Sequence, residues 1–254
     1  MIVTLILLGV GALLFLLIGY NMVQQFKQQQ EADRRHTLAK YKAIITETEE
    51  LLLNSSRIPY SKELILILHR RVLDALMQIK KTDPGVKGLE NRLAATNGQI
   101  QQIQASSQEI DQRFRAPGND KDALQMLQLV KKIRGVLRVE HSKSKLNAQA
   151  FVLEDRRLEL MLLKINIENA LNRAQEAMAL RQWGTARQLL NKGIGVLSNL
   201  SDRDAYLEEK LTFMRQLNSE MADKLKSVSQ QAVEEQAEKD ADDLDVLFQP
   251  KKKW

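Results

Sequence analysis

MIVTLILLGVGALLFLLIGYNMV, residues 1–23, contains no Asp, Glu, Lys, Arg or His and is dominated by Leu, Ile and Val. Wound as a helix at about 1.5 Å per residue, it is about 34 Å long, enough to cross a hydrocarbon core of about 30 Å. A cleaved secretory signal needs a cationic start, an apolar run of about 7 to 15 residues and a small-x-small exit. Here no Lys or Arg precedes the run, and the exit reads Gly19-Tyr20-Asn21-Met22-Val23. The stretch therefore predicts a retained single transmembrane helix, with Tyr20 at the level of the headgroups.

The flanks orient it. Lys27, Arg34, Arg35, Lys40 and Lys42 follow the apolar run, whereas only the α-amino group precedes it. Cations near a spanning helix are kept on the cytoplasmic side, so the sequence predicts an external N-terminus and a cytoplasmic bulk, at the inner membrane if the source is bacterial. Gly9, Gly11 and Gly19 do not form a small-xxx-small repeat, so the anchor carries no clear self-pairing face.

Beyond residue 23 the chain is long enough for one substantial domain or two small ones. Across the whole sequence there are 4 prolines, 11 glycines, no cysteine and 5% aromatics, a composition poor in helix breakers and free of thiol chemistry. Leu, Gln, Ala, Lys, Arg and Glu fill the gaps, the residues that lose least on entering a helix. No stretch alternates with period two between turn signals. The expected fold class is all-α: the transmembrane helix followed by an elongated helical bundle or coiled coil.

The chain divides into a transmembrane anchor at 1–23, a helical stalk at 24–58, a helical hairpin at 59–115, a bundle or coiled coil at 116–233, and a disordered acidic tail with a terminal apolar motif at 234–254. Asn54, Ser55, Ser56 and Pro59 end the stalk. Ile65, Leu68, Val72, Ala75 and Ile79 then form one 3-4 seam. Asp83 with Pro84 reads as a helix start, followed by a polar helix to about Arg115 with Ile100, Ile103, Ile110 and Phe114 as its apolar positions. Ala116-Pro117-Gly118-Asn119-Asp120 is the clearest loop, and the main internal boundary is placed there.

From Asp120 the pattern restarts with Met126, Val130, Ile133 and Leu137, and a softer point at His141 to Lys145 precedes a long helix to Leu180. There Leu160, Leu163, Ile167, Ala170, Ala174 and Ala177 keep heptad-like spacing. Thr185 with Gln188 reads as a capping box, and Ser201 with Asp204 as a looser one. The last helix, from about Asp202 to Val233, sets Leu207, Leu211, Met214, Met221, Leu225 and Val228 at a/d spacing with Asn218 on the same seam, a pattern that suits a homo-oligomer paired through 207–228. Ala174, Ala177, Trp183-Gly184, Ala186 and Leu190 form a short stretch that resembles a tetratricopeptide-type helical hairpin. The resemblance covers Ala170 to Leu200, lacks the usual opening Trp-Leu-Gly and closing Pro, and implies a degenerate hairpin.

No residues assemble into a catalytic or metal-binding pattern. His36, His69 and His141 lie in separate segments without ligand partners at metal spacing, and neither a phosphate loop nor a nucleophile elbow occurs. The sequence thus predicts no enzyme, no cofactor and no metal.

Two charged features remain. Lys131, Arg134, Arg138, His141 and Lys145 step by three and four residues, so a continuous helix would carry a cationic row. Lys131, Arg134, Arg138 and Lys145 are the anion-binding candidates, for phosphates of nucleic acid or of anionic lipid. The alternative is a solvated face or one answered by acids of a neighbouring helix.

At the C-terminus Leu244, Val246, Leu247 and Phe248 follow an acidic run from Glu234 to Asp245, and Lys251-Lys252-Lys253-Trp254 closes the chain. With Trp254, these apolar residues are the candidate partner-binding site, hydrophobes entering a groove while charges steer. The segment resembles in kind the acidic, Phe-containing tails and clamp-binding peptides of bacterial replication proteins, though without their leading Gln. Val246 to Pro250 also resembles a picornaviral protease site that lacks its following Gly. The sequence as a whole predicts a membrane-anchored scaffold or adaptor that tethers protein partners at the cytoplasmic face; the alternative is a tether for nucleic acid or anionic lipid through 131–145.

Overall fold

The computed structural model describes the backbone of residues 2–106 and 113–248, and the side chains of residues 17–106 and 113–226. Over these residues the protein is all-helical, with seven α-helices, one short 3-10 turn and no strand. The helices are α1 (Ile2–Leu53), α2 (Lys62–Thr82), α3 (Leu89–Ala105), α4 (Asp120–Ser142), α5 (Ala148–Ala179), α6 (Trp183–Ser198) and α7 (Ala205–Phe248). They fall into two compact units: Met1–Arg115 with Lys131–Arg157, and Ala116–Val130 with Leu158–Trp254.

The first unit is organised by α1, a single helix of 52 residues that ends where Asn54–Ser56 tightens into a 3-10 turn. Its side chains are exposed from Leu17 to His36, and Leu38, Tyr41, Ile44 and Ile45 are the first to pack, against Val72, Ala75, Leu76 and Ile79 of α2. Buried Tyr60 donates its hydroxyl to the Leu51 carbonyl at 2.7 Å, satisfying an acceptor in the last turn of α1 that has no helical partner. Ser61 caps α2 by accepting from the Leu64 amide at 2.9 Å.

Among the described residues no helix is long and apolar enough to cross a membrane. Of the expected span at 1–23, only the side chains of Leu17–Val23 are described.

The predicted helix start at Asp83 is corrected. Asp83 instead closes α2, its amide donating to the Ile79 carbonyl, while its carboxylate accepts from the Gly85 amide at 3.2 Å. That side chain therefore builds a turn, and α3 begins only at Leu89, after Gly88 has taken a left-handed φ of 76°. The soft point at His141 to Lys145 is a full break, with Ser144 left-handed at φ 57° and α5 starting anew at Ala148.

In the second unit Asn119 caps α4 by accepting from the Asp122 amide, and Asp122 accepts in return from the Gly118 amide. The capping boxes at Thr185 and Ser201 are displaced. Gln182 precedes α6, so Thr185 sits inside its first turn, and Asp204 caps α7 by accepting from the Leu207 amide at 3.0 Å. Ile167, Leu171, Ala174 and Ala177 of α5 pack with Ala186, Leu190 and Leu197 of α6 and with Leu207, Leu211, Met214 and Met221 of α7. Gly193 lets α6 meet α7 closely, because a Cβ there would lie 3.0 Å from the Met214 sulfur.

The α7 seam expected to pair two copies is thus covered within the chain from Leu207 to Met221. Asn218 supports that packing, donating to the Asn191 side chain of α6 at 3.2 Å. The helical backbone continues to Phe248, past the Val233 end expected from sequence and through most of the segment expected to be disordered. Ala, Glu, Gln and Leu, frequent in this stretch, are strong helix formers.

Candidate functional site

The basic row of α4 does not form one cationic face. Arg134 makes a two-pronged pair with Asp155 of α5, Nε to Oδ1 and Nη2 to Oδ2, both at 2.7 Å. The Arg134 hydrogen bond holds the Asp155 carboxyl below its usual range against the opposing effect of burial, and the charges of Arg134 and Arg138 add to it. Lys145 lies beyond the end of α4 and pairs with Asp74 of α2. His141 stacks on Phe151 with ring centres 4.4 Å apart and planes 7° apart. Lys131 and Arg138 are exposed on α4. Two of the four anion-binding candidates are therefore engaged by acids of other helices in the same unit, and helical periodicity no longer applies to Lys145.

Near them lies a charge cluster that periodicity did not reveal. Arg71 of α2 is buried at 8% exposure, with Nε donating to Thr48 Oγ1 at 3.1 Å, Nη1 to Glu140 Oε1 at 3.2 Å and Nη2 to Glu47 Oε2 at 2.9 Å. Glu140 is 5% exposed and also receives Lys143 at 3.1 Å. Arg71, Glu140, Asp74, Lys143 and Lys145 edge a small cleft of about 110 Å³. Each charge in it has an opposite neighbour, which makes the cleft a structural lock rather than an open anion site. Such a cluster leaves only a weak trace in sequence, an Arg beside the apolar positions of an otherwise regular seam.

His69, half-buried on α2, is pushed below its ordinary pKa by burial alone. His36 is exposed on α1. Among the described residues no group of three or more His, Asp or Glu side chains is placed to hold a metal ion.

In the second unit Glu168, buried on α5, accepts from the Tyr206 hydroxyl and from Lys210 Nζ at 2.7 Å. Lys164 and Lys210 lie 5.1 and 5.3 Å from the centre of the Tyr206 ring. Burial first, and then the Glu168 hydrogen bond, push the Tyr206 phenol well above its ordinary pKa, so it stays neutral. The cluster ties α5 to the first turn of α7, where Asp204 pairs with Lys164.

Apolar grooves open on the described surface of both units. In the first unit a cavity of about 760 Å³ lies along α2 and α3 beside Leu73, Met77, Leu93 and Ala94, with Lys80 and Glu90 paired at 2.5 Å among its lining residues. In the second unit a cavity of about 430 Å³ lies along α5 and α6, with Ile167, Leu189 and Val196 on its apolar side and Asn166, Asn169, Arg173 and Lys192 as its polar members. Among the described residues no acid lines the second groove. Its polar members are scattered over two helices and leave no contiguous signature in the sequence.

The partner-binding residues expected at the C-terminus lie outside the described side chains: Leu244, Val246, Leu247 and Phe248 fall on the backbone of α7, and Trp254 beyond it. No protein-family model, no curated protein and no solved structure matches this chain.

Proposed function

We propose that this chain is a membrane-anchored helical scaffold, held by residues 1–23 with its bulk in the cytoplasm, that tethers protein partners through its C-terminal segment. One observation carries the anchor. Leu17, Ile18, Tyr20, Met22, Val23 and Phe26 are each 51–69% exposed at the end of an uncharged run, an apolar surface that water solvates poorly and acyl chains or headgroups solvate well. The cations from Lys27 to Lys42 support the orientation.

Tethering acts by raising local concentration, which requires only a fixed anchor and an accessible docking segment. The acidic and apolar residues from Asp240 to Phe248 supply the second. The test is affinity capture from membranes with the full chain and with a variant lacking Leu244 to Trp254. The reading predicts at least one protein lost with the truncation; identical captured sets would refute it.

The nucleic-acid or lipid tether through 131–145 is the weaker reading, because Arg134 and Lys145 already meet Asp155 and Asp74.

A further inference from the structure

The groove along α5 and α6 combines features that a purely structural crevice does not need. Its apolar side includes Val196, 45% exposed. Arg173 and Lys192 give it positive charge without a lining acid, and Arg173 makes only a loose 3.8 Å pair with Asp120, both side chains being more than half exposed. A ligand matched to these features presents aliphatic or aromatic side chains with carboxylates beside them.

The C-terminal segment has that chemistry. Asp240, Asp242, Asp243 and Asp245 surround Leu244, Val246, Leu247 and Phe248. Leu244, Leu247 and Phe248 are three and four positions apart, the spacing of one helical face. The same molecule's copy is poorly placed to use the groove. Among the described side chains α7 packs on α5 and α6 as far as Leu225, and its helical backbone continues to Phe248, which carries position 244 about 28 Å along the axis beyond Leu225.

We infer that the α5–α6 groove receives residues 240–249 of a second copy, joining anchored chains through their own tails. The inference rests on reading the C-terminal segment as a docking element and names its partner. Charge complementarity selects the occupant: a cationic groove without an acid against a segment with four carboxylates. Confinement in one bilayer raises the effective concentration of tails, so modest affinity suffices.

The natural absence of cysteine makes the test clean. Full-length chains carrying Val196→Cys and Leu247→Cys are mixed in detergent micelles and oxidised, with Arg187→Cys, exposed on α6 and outside the groove lining, as the control partner. The expected result is a disulfide-linked dimer from Val196→Cys with Leu247→Cys that exceeds the control. Adding Arg173→Glu and Lys192→Glu to the groove chain should lower its yield roughly tenfold, and Asp243→Lys with Asp245→Lys in the tail chain should restore it. Cross-linking no greater than the control, or unchanged by charge reversal, overturns the inference. If cross-linking fails while deletion of Leu244 to Trp254 still removes a captured protein, the tail docks on a different partner and the scaffold reading stands. Failure of both removes both.

Discussion

Replacing Arg71 with Met tests how the first unit is held together, because the three contacts of its guanidinium differ in weight. Glu47 is 47% exposed, so its pair with Arg71 contributes at most about 1 kcal/mol. Thr48 keeps its own hydrogen bond to the Ile44 carbonyl at 2.6 Å and loses only a donor to its oxygen. Glu140, 5% exposed, is the expensive loss, since it retains only Lys143, itself 45% exposed. Breaking a buried pair from one side costs about 3–5 kcal/mol, and the surviving Lys143 places Arg71→Met near the lower end, about 3 kcal/mol. Replacing Glu140 as well removes the stranded charge, so Arg71→Met with Glu140→Met should recover to within about 1–2 kcal/mol of the natural chain.

Hydrogen exchange of the α2 amides, Leu64 to Ile79, in the full chain in detergent micelles reads this locally. A loss of about 3 kcal/mol appears as roughly 150-fold faster exchange, largely reversed in the double variant. Acceleration below about fivefold for Arg71→Met, or a double variant worse than either single one, would refute the assignment of Glu140 as the group that needs Arg71.

His69 is favoured in its neutral form by burial, so the unfolded chain takes up the proton first as pH falls below 6.5; the first unit should lose stability between there and the lower folded value, and His69→Gln should flatten that limb in denaturant titrations at about pH 7.5 and about pH 5.5. Asp155 behaves oppositely in kind: its lowered folded pKa gives stability above 3.8 that is lost as pH falls through the folded value, and Arg134→Gln should make the acid-unfolding curve shallower in that range. Tyr60→Phe removes the hydroxyl that serves the Leu51 carbonyl and should cost about 1–2 kcal/mol, read as faster exchange in the last turn of α1. Gly193→Leu should destabilise the second unit by about 1–3 kcal/mol or more, because Met214 and Ile167 occupy the space beside Gly193, as seen by Trp183 fluorescence during guanidinium unfolding.

Helical identity was legible because it is written in period: Leu68, Val72, Ala75 and Ile79 of α2, and Leu207, Leu211, Met214 and Met221 of α7, are buried where their spacing placed them. Segment ends were legible only where one polar side chain had one available role. Asn119 caps as its position suggests, but Asp83 chose the turn ahead of it over the helix after it, and Asp204 rather than Ser201 faced the open amides of α7. On α5 the heptad-like reading caught Ile167, Ala174 and Ala177 but missed buried Leu158, Met161, Ile165 and Leu171, since the helix is covered over more of its circumference than one narrow stripe.

The candidate sites were less legible, because charges state their sign and not their partners. A row counted by threes and fours on α4 could not show that Asp155 and Asp74, from other helices, answer Arg134 and Lys145. Nor could it reveal a groove built from Asn166, Asn169 and Arg173 on one helix and Lys192 on the next, whose composition has no sequential signature.

The most direct test is the partition of the full chain between membrane and supernatant after alkaline carbonate extraction, beside a version beginning at Gln24. Retention of the full chain in the pellet and release of the shortened one is the expected result. Release of both would contradict the anchor, and with it the tether built upon it.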